Sequence, residues 1–258
     1  MTNVAASADG VPVRFHVDGS GLPALVFVHG WSCDRTYWSR QVGTFAERHR
    51  VVAVDLAGHG ESGSGRSAWT MPAFGDDVAA VVESLQLDEA VLIGHSMGGD
   101  VVVEAARKLP GRVTGLVWVD TYRTLGESRT SDQLEAFIAP FRRDFVTATR
   151  RLVHTFFVPS SDPDLVEWVA SDMSSAPVDV AVDALEHAFT NDGAVVSGLR
   201  ELDLTVVAIN PDYRPTDVAA LGAHGVGTVI MPGVGHFPMM EDPDAFNRLL
   251  GRTIEGMP

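Results

Sequence analysis

The chain has 258 residues, of which 45% are hydrophobic and 21% are charged. This composition is close to the globular average, so it supports a sizeable core and excludes global disorder. The 19 basic and 34 acidic side chains give a net charge of −15, which makes nucleic acid and anionic membranes poor partners.

The N-terminal residues and the single cysteine bear on the cellular location. Cys33 alone can form neither an internal disulfide nor a cysteine-based metal cluster. The N-terminus has no basic start followed by an apolar stretch, and no apolar run approaches the ~18 residues that would span a bilayer. We therefore expect a soluble, cytoplasmic protein that does not associate with membranes.

The predicted strands are short and rich in Val, Ile and Leu. The chain opens on a predicted hairpin, because alternation over residues 11–17 follows the turn residues Asp9 and Gly10. Further apolar runs follow over residues 24–28, 51–54, 90–93, 115–119, 204–209 and 227–231. Runs of this kind are typical of strands that are buried on both faces of a parallel sheet.

Helix-like stretches alternate with these strands. They cover residues 35–45, 74–85, 97–109 and 244–254. Pro110 and Gly111 end the third of them. Strands that alternate with helices predict an α/β domain with a mostly parallel sheet and flanking helices.

Residues 121–200 interrupt this alternation, because no strand is evident there. Apolar side chains recur at helical spacing, which predicts three or four inserted helices. We interpret this segment as a helical cap, and residues 1–120 and 201–258 as the core domain. In open α/β sheets ligands bind at the carboxyl ends of the strands, so the cap should lie there. Its aromatic side chains either anchor it to the core or line a substrate pocket.

The clearest motif is Gly94-His95-Ser96-Met97-Gly98, which lies between a predicted strand and a predicted helix. This is the G-x-S-x-G pattern in its strand–turn–helix context, where a serine nucleophile projects from a sharp turn. Glycine has no side chain, so the two glycines avoid clashes that other residues would make in this turn. The positive N-terminus of the following helix favours a developing negative charge.

Two further motifs complete a catalytic arrangement around Ser96. The strand over residues 26–28 ends in His29-Gly30-Trp31, and the backbone amides of Trp31 and Met97 are candidates for an oxyanion hole. We expect His29 itself to be structural. His236 lies in a glycine-containing loop after the last strand, where it can act as general base.

These motifs together resemble those of α/β-hydrolase-fold serine hydrolases across nearly the whole chain. The turn over residues 55–62, from Asp55 to Ser62, and the stretch Glu241-Asp242-Pro243 add to the resemblance. A serine at the elbow implies acyl transfer, whereas an aspartate there would imply dehalogenase or epoxide hydrolase chemistry. The fold hosts many reactions, so the resemblance does not specify the substrate.

The acid of the triad is where the sequence departs from the family pattern. In the family the acid usually follows the strand after the cap, and here that loop reads Asn210-Pro211-Asp212-Tyr213-Arg214, with Tyr213 at the expected position. Asp120, at the end of the strand before the cap, is the rival. We favour Asp212 over Asp120 and leave both open. Asp217 is a remote third choice and is expected to cap a helix instead.

The expected activity is therefore hydrolysis of carboxylic esters or lactones of small, apolar substrates through an acyl-enzyme. Alternatives on the same triad are a carbon–carbon bond hydrolase, an amidase or a haloperoxidase-like enzyme, and a further alternative is a non-enzymatic small-molecule receptor. We expect no cofactor, no metal site, and a monomer or homodimer. The candidate substrate-binding side chains are Phe137, Phe141, Phe156, Trp168 and Met239.

Overall fold

The computed structural model describes residues 2–126 and 130–257. At its centre is an eight-stranded sheet with the strand order β1-β2-β4-β3-β5-β6-β7-β8. The strands are β1 (Thr2–Ala6), β2 (Pro12–Asp18), β3 (Ala24–Val28), β4 (Val51–Val54), β5 (Ala90–His95), β6 (Val113–Val119), β7 (Thr205–Pro211) and β8 (Val226–Met231).

The pairing of the strands explains why residues 11–17 alternate in sequence whereas the later strands are continuous apolar runs. β1 pairs with β2 and β2 pairs with β4 in antiparallel register, whereas β4, β3, β5, β6, β7 and β8 run parallel to one another. Every residue of β3, β4 and β5 is buried, as expected for strands covered by helices on both faces. The α/β architecture and all the predicted strands are confirmed, and β3 and β4 have the predicted bounds.

Helices flank the sheet. In the core they are α1 (Ser39–Ala46), α2 (Met71–Ser84), α3 (Met97–Lys108), α9 (Val218–Gly222), α10 (Pro238–Glu241) and α11 (Pro243–Glu255). The helix predicted over residues 35–45 is divided, because a 3-10 turn over Arg35–Trp38 precedes α1. Asp34 starts that turn by accepting a hydrogen bond from the Thr36 amide. Among the described residues, no helix has the length and apolar character needed to cross a bilayer.

Among the described residues, five helices rather than the predicted three or four lie between β6 and β7, in the segment interpreted as a cap. They are α4 (Ser131–Arg143), α5 (Phe145–His154), α6 (Pro163–Met173), α7 (Val178–Ala188) and α8 (Asp192–Glu201). Residues 127–129 of that segment lie outside the described residues. Thr130 and Gln133 form a capping box that begins α4.

The inserted helices are fastened to the loops at the carboxyl ends of the parallel strands. The Trp31 indole donates a 2.6 Å hydrogen bond to the carbonyl of Ala181 in α7. The Tyr37 hydroxyl donates a 2.7 Å hydrogen bond to the carboxylate of Asp172 in α6. These contacts place α6 and α7 over the end of β3, which is the end of the sheet that carries Ser96.

Candidate active site

Ser96 occupies a sharp turn between β5 and α3. Its backbone has φ 51° and ψ −121°, a conformation that L-residues rarely adopt. The Ser96 amide donates a 2.9 Å hydrogen bond to the carbonyl of Val119 at the end of β6, and its own carbonyl accepts one from Gly99. A residue held in such a conformation by neighbouring hydrogen bonds is typical of functional sites.

Close backbone contacts explain why glycines flank this turn. A β-carbon at Gly94 would lie 2.2 Å from the carbonyl oxygen of Gly98. A β-carbon at Gly98 would lie 2.6 Å from the carbonyl oxygens of Val28 and His29. Both distances are shorter than any normal contact, so the nucleophile turn requires glycine at both positions.

The loop after β3 lies directly against Ser96. A β-carbon at Gly30 would lie 3.2 Å from the Ser96 β-carbon, so the loop that carries Trp31 is adjacent to the serine. Gly30, Trp31, Ser96 and Met97 all line the same cavity. The residues predicted for the oxyanion hole are therefore brought together around the nucleophile.

His29 has a structural role in this loop, as expected. Its Nδ1 donates a hydrogen bond to the Gly30 carbonyl at 2.8 Å, and its Nε2 accepts one from the Leu56 amide at 3.1 Å. Complete burial lowers the pKa of His29 to about 4. The ring therefore stays neutral near pH 7 and joins the ends of β3 and β4.

His236 lines the same cavity as Ser96, and two contacts fix its ring. Its backbone amide donates a 2.7 Å hydrogen bond to the carbonyl of Phe156, and the Phe156 ring lies over the imidazole with the ring centroids 4.3 Å apart. His95, next to the nucleophile, holds the His236 carbonyl through its Nε2 at 2.8 Å. Burial lowers the pKa of His95 well below its usual value, so this ring is a neutral support.

Asp120 is the carboxylate that contacts His236. Its Oδ2 lies 2.6 Å from His236 Nδ1. Because a carboxylate only accepts hydrogen bonds, Nδ1 carries the proton and Nε2 is left to accept one. This is the tautomer that a general base for a serine requires.

Two further side chains hold the Asp120 carboxylate. The Tyr213 hydroxyl donates to Oδ2 at 3.0 Å, and the Arg123 guanidinium donates to Oδ1 at 2.6 Å. The Arg123 guanidinium also lies 4.7 Å from the Tyr213 ring centroid. Burial and the Asp120 charge raise the pKa of Tyr213, so its hydroxyl remains a donor at neutral pH.

The preference for Asp212 as the partner of His236 is wrong in this structure. Asp212 is exposed, and its carboxylate accepts a 2.8 Å hydrogen bond from the Gly233 amide, which ties together the loops after β7 and β8. Asp217 caps α9 by accepting a hydrogen bond from Ala220, as expected. The physical reason for the difference is that the side chain at the usual acid position, Tyr213, reaches the active site as a donor to Asp120.

A cavity of about 760 Å³ extends from Ser96 under the inserted helices. This volume is within the usual range for small-molecule sites. The inserted helices contribute most of the apolar lining side chains, and many of the polar ones come from α3 and from the loops after β6, β7 and β8. The apolar lining residues of the inserted segment are Phe137, Leu152, Phe156, Met173, Leu185, Ala188 and Phe189.

Comparison with known proteins places the chain in a family. Residues 25–249 match the model of the alpha/beta hydrolase family. The chain belongs to the alpha/beta hydrolase family.

Three relatives of this alpha/beta hydrolase match it over most of its length at about one-quarter identity. A dihydrolipoyllysine-residue acetyltransferase component of an acetoin cleaving system from Cupriavidus necator is 27% identical over 97% of this chain and 68% of that protein. 3-Oxoadipate enol-lactonase 2 from Acinetobacter baylyi is 26% identical over 90% of this chain and 89% of that protein. The solved structure of a thermophilic esterase from Thermogutta terrifontis superimposes with a TM-score of 0.84 at 26% identity, covering 99% and 98% of the two chains.

The candidate substrate-binding residues of this alpha/beta hydrolase divide into two groups. Phe137 and Phe156 line the cavity. Phe141 instead packs against Trp31 with the ring centroids 5.6 Å apart, and Trp168 is 43% exposed and packs on Tyr37. Met239 is fully buried in the core. Phe141, Trp168 and Met239 are therefore absent from the described cavity lining.

Sequence reasoning missed three groups of the hydrolase site. Tyr213 stands at the position expected for the acid, but nothing in the sequence marks it as a hydrogen-bond donor to Asp120, and Arg123 belongs to no motif. Asp100, in the first turn of α3, also lines the cavity. Its place in the first turn of the helix that follows the nucleophile is the signal that could have identified it.

Cys33 lies in the cavity wall but is a poor nucleophile. Its thiol is buried and contacts the Trp31 carbonyl at 3.3 Å. Burial, with a further contribution from Asp172, raises the pKa of the thiol well above its usual value. The thiol is therefore protonated at neutral pH.

Proposed function

We propose that this alpha/beta hydrolase cleaves carboxylic esters or lactones of small substrates through an acyl-enzyme. Ser96 is the nucleophile, His236 the general base and Asp120 the acid. The observation that carries the proposal is the 2.6 Å contact of His236 with Asp120, in a cavity that also holds Ser96 on its strained turn. The esterase and enol-lactonase names of the relatives support the same reaction class.

The proposed reaction has two half-steps. Ser96 Oγ attacks the substrate carbonyl carbon while its proton passes to His236 Nε2. The C–O bond to the leaving alcohol then breaks, and that alcohol takes the proton from Nε2. Water next loses a proton to Nε2 and attacks the acyl carbon. The bond from that carbon to Ser96 Oγ then breaks, and Oγ takes the proton from Nε2, which releases the carboxylic acid and restores the free serine.

Two groups of residues lower the barrier in this scheme. The amides of Trp31 and Met97 donate to the oxyanion of each tetrahedral intermediate, at the N-terminus of α3 where the helix dipole favours negative charge. Asp120 stabilises the imidazolium that forms on His236 and holds it in the reactive tautomer. Tyr213 and Arg123 are positioning residues, because both donate hydrogen bonds to the Asp120 carboxylate.

A substrate panel tests the proposal. We expect the wild-type protein to hydrolyse p-nitrophenyl esters or simple lactones, and Ser96→Ala to lose at least about 10³-fold of kcat while remaining folded. Esters of increasing acyl length, measured beside lactones, define the preferred substrate. Tight binding of a small molecule without any turnover would instead favour a receptor on this fold.

A further inference from the structure

Asp100 is a buried carboxyl group beside the nucleophile to which the proposed reaction gives no role. It lies in the first turn of α3, the helix that begins directly after Ser96. Only 5% of Asp100 is exposed, and the residue lines the cavity. The small exposed part of the residue therefore faces the cavity that also holds Ser96.

The two oxygens of this carboxyl group have different surroundings. The Tyr122 hydroxyl and the Asn191 amide both donate to Oδ1, at 2.7 Å and 3.0 Å. Among the described residues no other side chain donates to Oδ2. A carboxylate oxygen can accept more than one hydrogen bond, and Asp100 lines the cavity, so a ligand there can donate to Oδ2.

The charge around Asp100 favours a positively charged ligand. Burial is the main cause that raises its pKa to about 7, and the charge of Asp192, which also lines the cavity, adds to it. The two arginines among the described lining residues donate to other groups. Arg123 donates to Asp120, and Arg214 donates to the Thr155 carbonyl at 3.2 Å.

We propose that Asp100 is a specificity-determining residue that binds a primary ammonium group of the substrate through Oδ2. The ammonium group donates a hydrogen bond to Oδ2 of the ionised carboxylate. If the carboxyl group is protonated before binding, it releases that proton to solvent. The class of substrate is an ester with an amino group separated from the carbonyl by a short aliphatic chain. The substrate class rests on the proposed function, whereas ammonium binding in the cavity does not.

The variant Asp100→Asn distinguishes ammonium binding by Asp100 from a purely structural role of this residue. The amide oxygen of asparagine can replace Oδ1 and keep the hydrogen bonds from Tyr122 and Asn191, while its NH₂ group replaces the acceptor Oδ2 with a donor. The fold is preserved and the ammonium site is removed. Asp172→Asn is the matched control, because Asp172 is a carboxyl group bonded to a tyrosine, Tyr37, that is absent from the described cavity lining.

Calorimetry with hexylammonium and 1-hexanol tests the ammonium site without any turnover. At about pH 8, where Asp100 is ionised, we expect wild type and Asp172→Asn to bind hexylammonium at least about tenfold more tightly than hexanol. Asp100→Asn should lose this preference. Equal binding of the two ligands by wild type, or an unchanged preference in Asp100→Asn, would overturn the proposal.

A kinetic comparison separates this inference from the proposed function. The p-nitrophenyl esters of 6-aminohexanoic acid and heptanoic acid differ by an ammonium group in place of a methyl group. We expect the amino ester to have the lower KM, by about tenfold, and only in proteins that keep Asp100. Turnover of both esters with equal KM contradicts the ammonium site alone. Ammonium binding with no turnover of either contradicts the ester hydrolase alone.

Discussion

Three side chains from different loops converge on the Asp120 carboxylate. His236 and Tyr213 donate to Oδ2, and Arg123 donates to Oδ1. Asp120 itself has φ 46°, and its amide donates to the Ile209 carbonyl at the end of β7. Charged hydrogen bonds of this kind are stronger than neutral ones, so they hold the carboxylate where His236 needs it.

Substitution of the two candidate acids tests the assignment at this scale. We expect Asp120→Asn to lower kcat by about 10³- to 10⁴-fold, because the amide favours the wrong tautomer of His236. Asp212→Asn should keep nearly full kcat and lose at most about 1 kcal/mol of stability, through its hydrogen bond to Gly233. Steady-state kinetics and thermal unfolding check both variants. A dead Asp212→Asn beside an active Asp120→Asn would reverse the assignment.

Tyr213→Phe tests the positioning role of the tyrosine. Loss of the hydroxyl leaves Asp120 with two donors instead of three, so we expect kcat to fall about tenfold with KM nearly unchanged. Tyr37→Phe is the control, since that hydroxyl bonds to Asp172 and has no contact with Asp120. A change in KM alone, or an equal loss in the control, would show that the hydroxyl of Tyr213 does not act through the acid.

At the scale of secondary-structure elements, the strands and the nucleophile turn follow from the sequence, but the acid does not. Apolar runs and the glycine-flanked serine depend on local backbone geometry, which a short motif specifies. The partner of His236 depends on how the loops after β6 and β7 bend toward each other in space. The spacing of residues along the chain does not predict how these loops bend. Tyr213, at the usual acid position, also gave no indication that its hydroxyl would donate to Asp120.

In the inserted helices, too, the sequence predicts the local structure but not the contacts that each side chain makes. Phe137 and Phe141 are four residues apart on α4 and their ring centroids lie 5.6 Å apart, so helical spacing correctly predicts that they share a face. Phe137 lines the cavity, whereas Phe141 is 4% exposed and packs on Trp31. Periodicity identifies the inward face of a helix but does not say which of its side chains meets substrate.

This difference gives a prediction for α4. Phe141→Ala should lower the free energy of unfolding by about 3 kcal/mol, because it leaves a void in packed surroundings. Phe137→Ala should cost less stability and should shift the preferred acyl length of p-nitrophenyl esters toward longer chains. Chemical denaturation and the ester panel measure the two effects. The reverse pattern would mean that the two rings have exchanged roles in solution.

For the whole molecule, buried titratable groups affect stability in opposite directions as pH changes. Burial lowers the pKa values of His29 and His59 to about 4 and about 3, so these groups remove stability as pH falls below about 6.5. Burial raises the pKa of Asp100 from 3.8 to about 7. The unfolded chain then loses this proton first, so Asp100 removes stability as pH rises from about 4 to about 7.

Asp100→Asn isolates the second effect. We expect the difference in Tm between Asp100→Asn and wild type to increase in favour of the variant as pH rises from about 4 to about 7, and to level off above that range. Differential scanning calorimetry of both proteins across this range provides the measurement, and the histidine contributions cancel in the difference. A difference in Tm that does not change with pH would mean that Asp100 is not protonated in the folded protein at neutral pH.

Covalent labelling tests the central claim most directly. A fluorophosphonate probe reacts with a serine only where a base and an oxyanion site activate it. We predict stoichiometric labelling at Ser96, located by peptide mass spectrometry, and no labelling of Ser96→Ala. Labelling of another residue, or an unlabelled wild-type protein that is fully folded, would contradict an active triad of Ser96, His236 and Asp120.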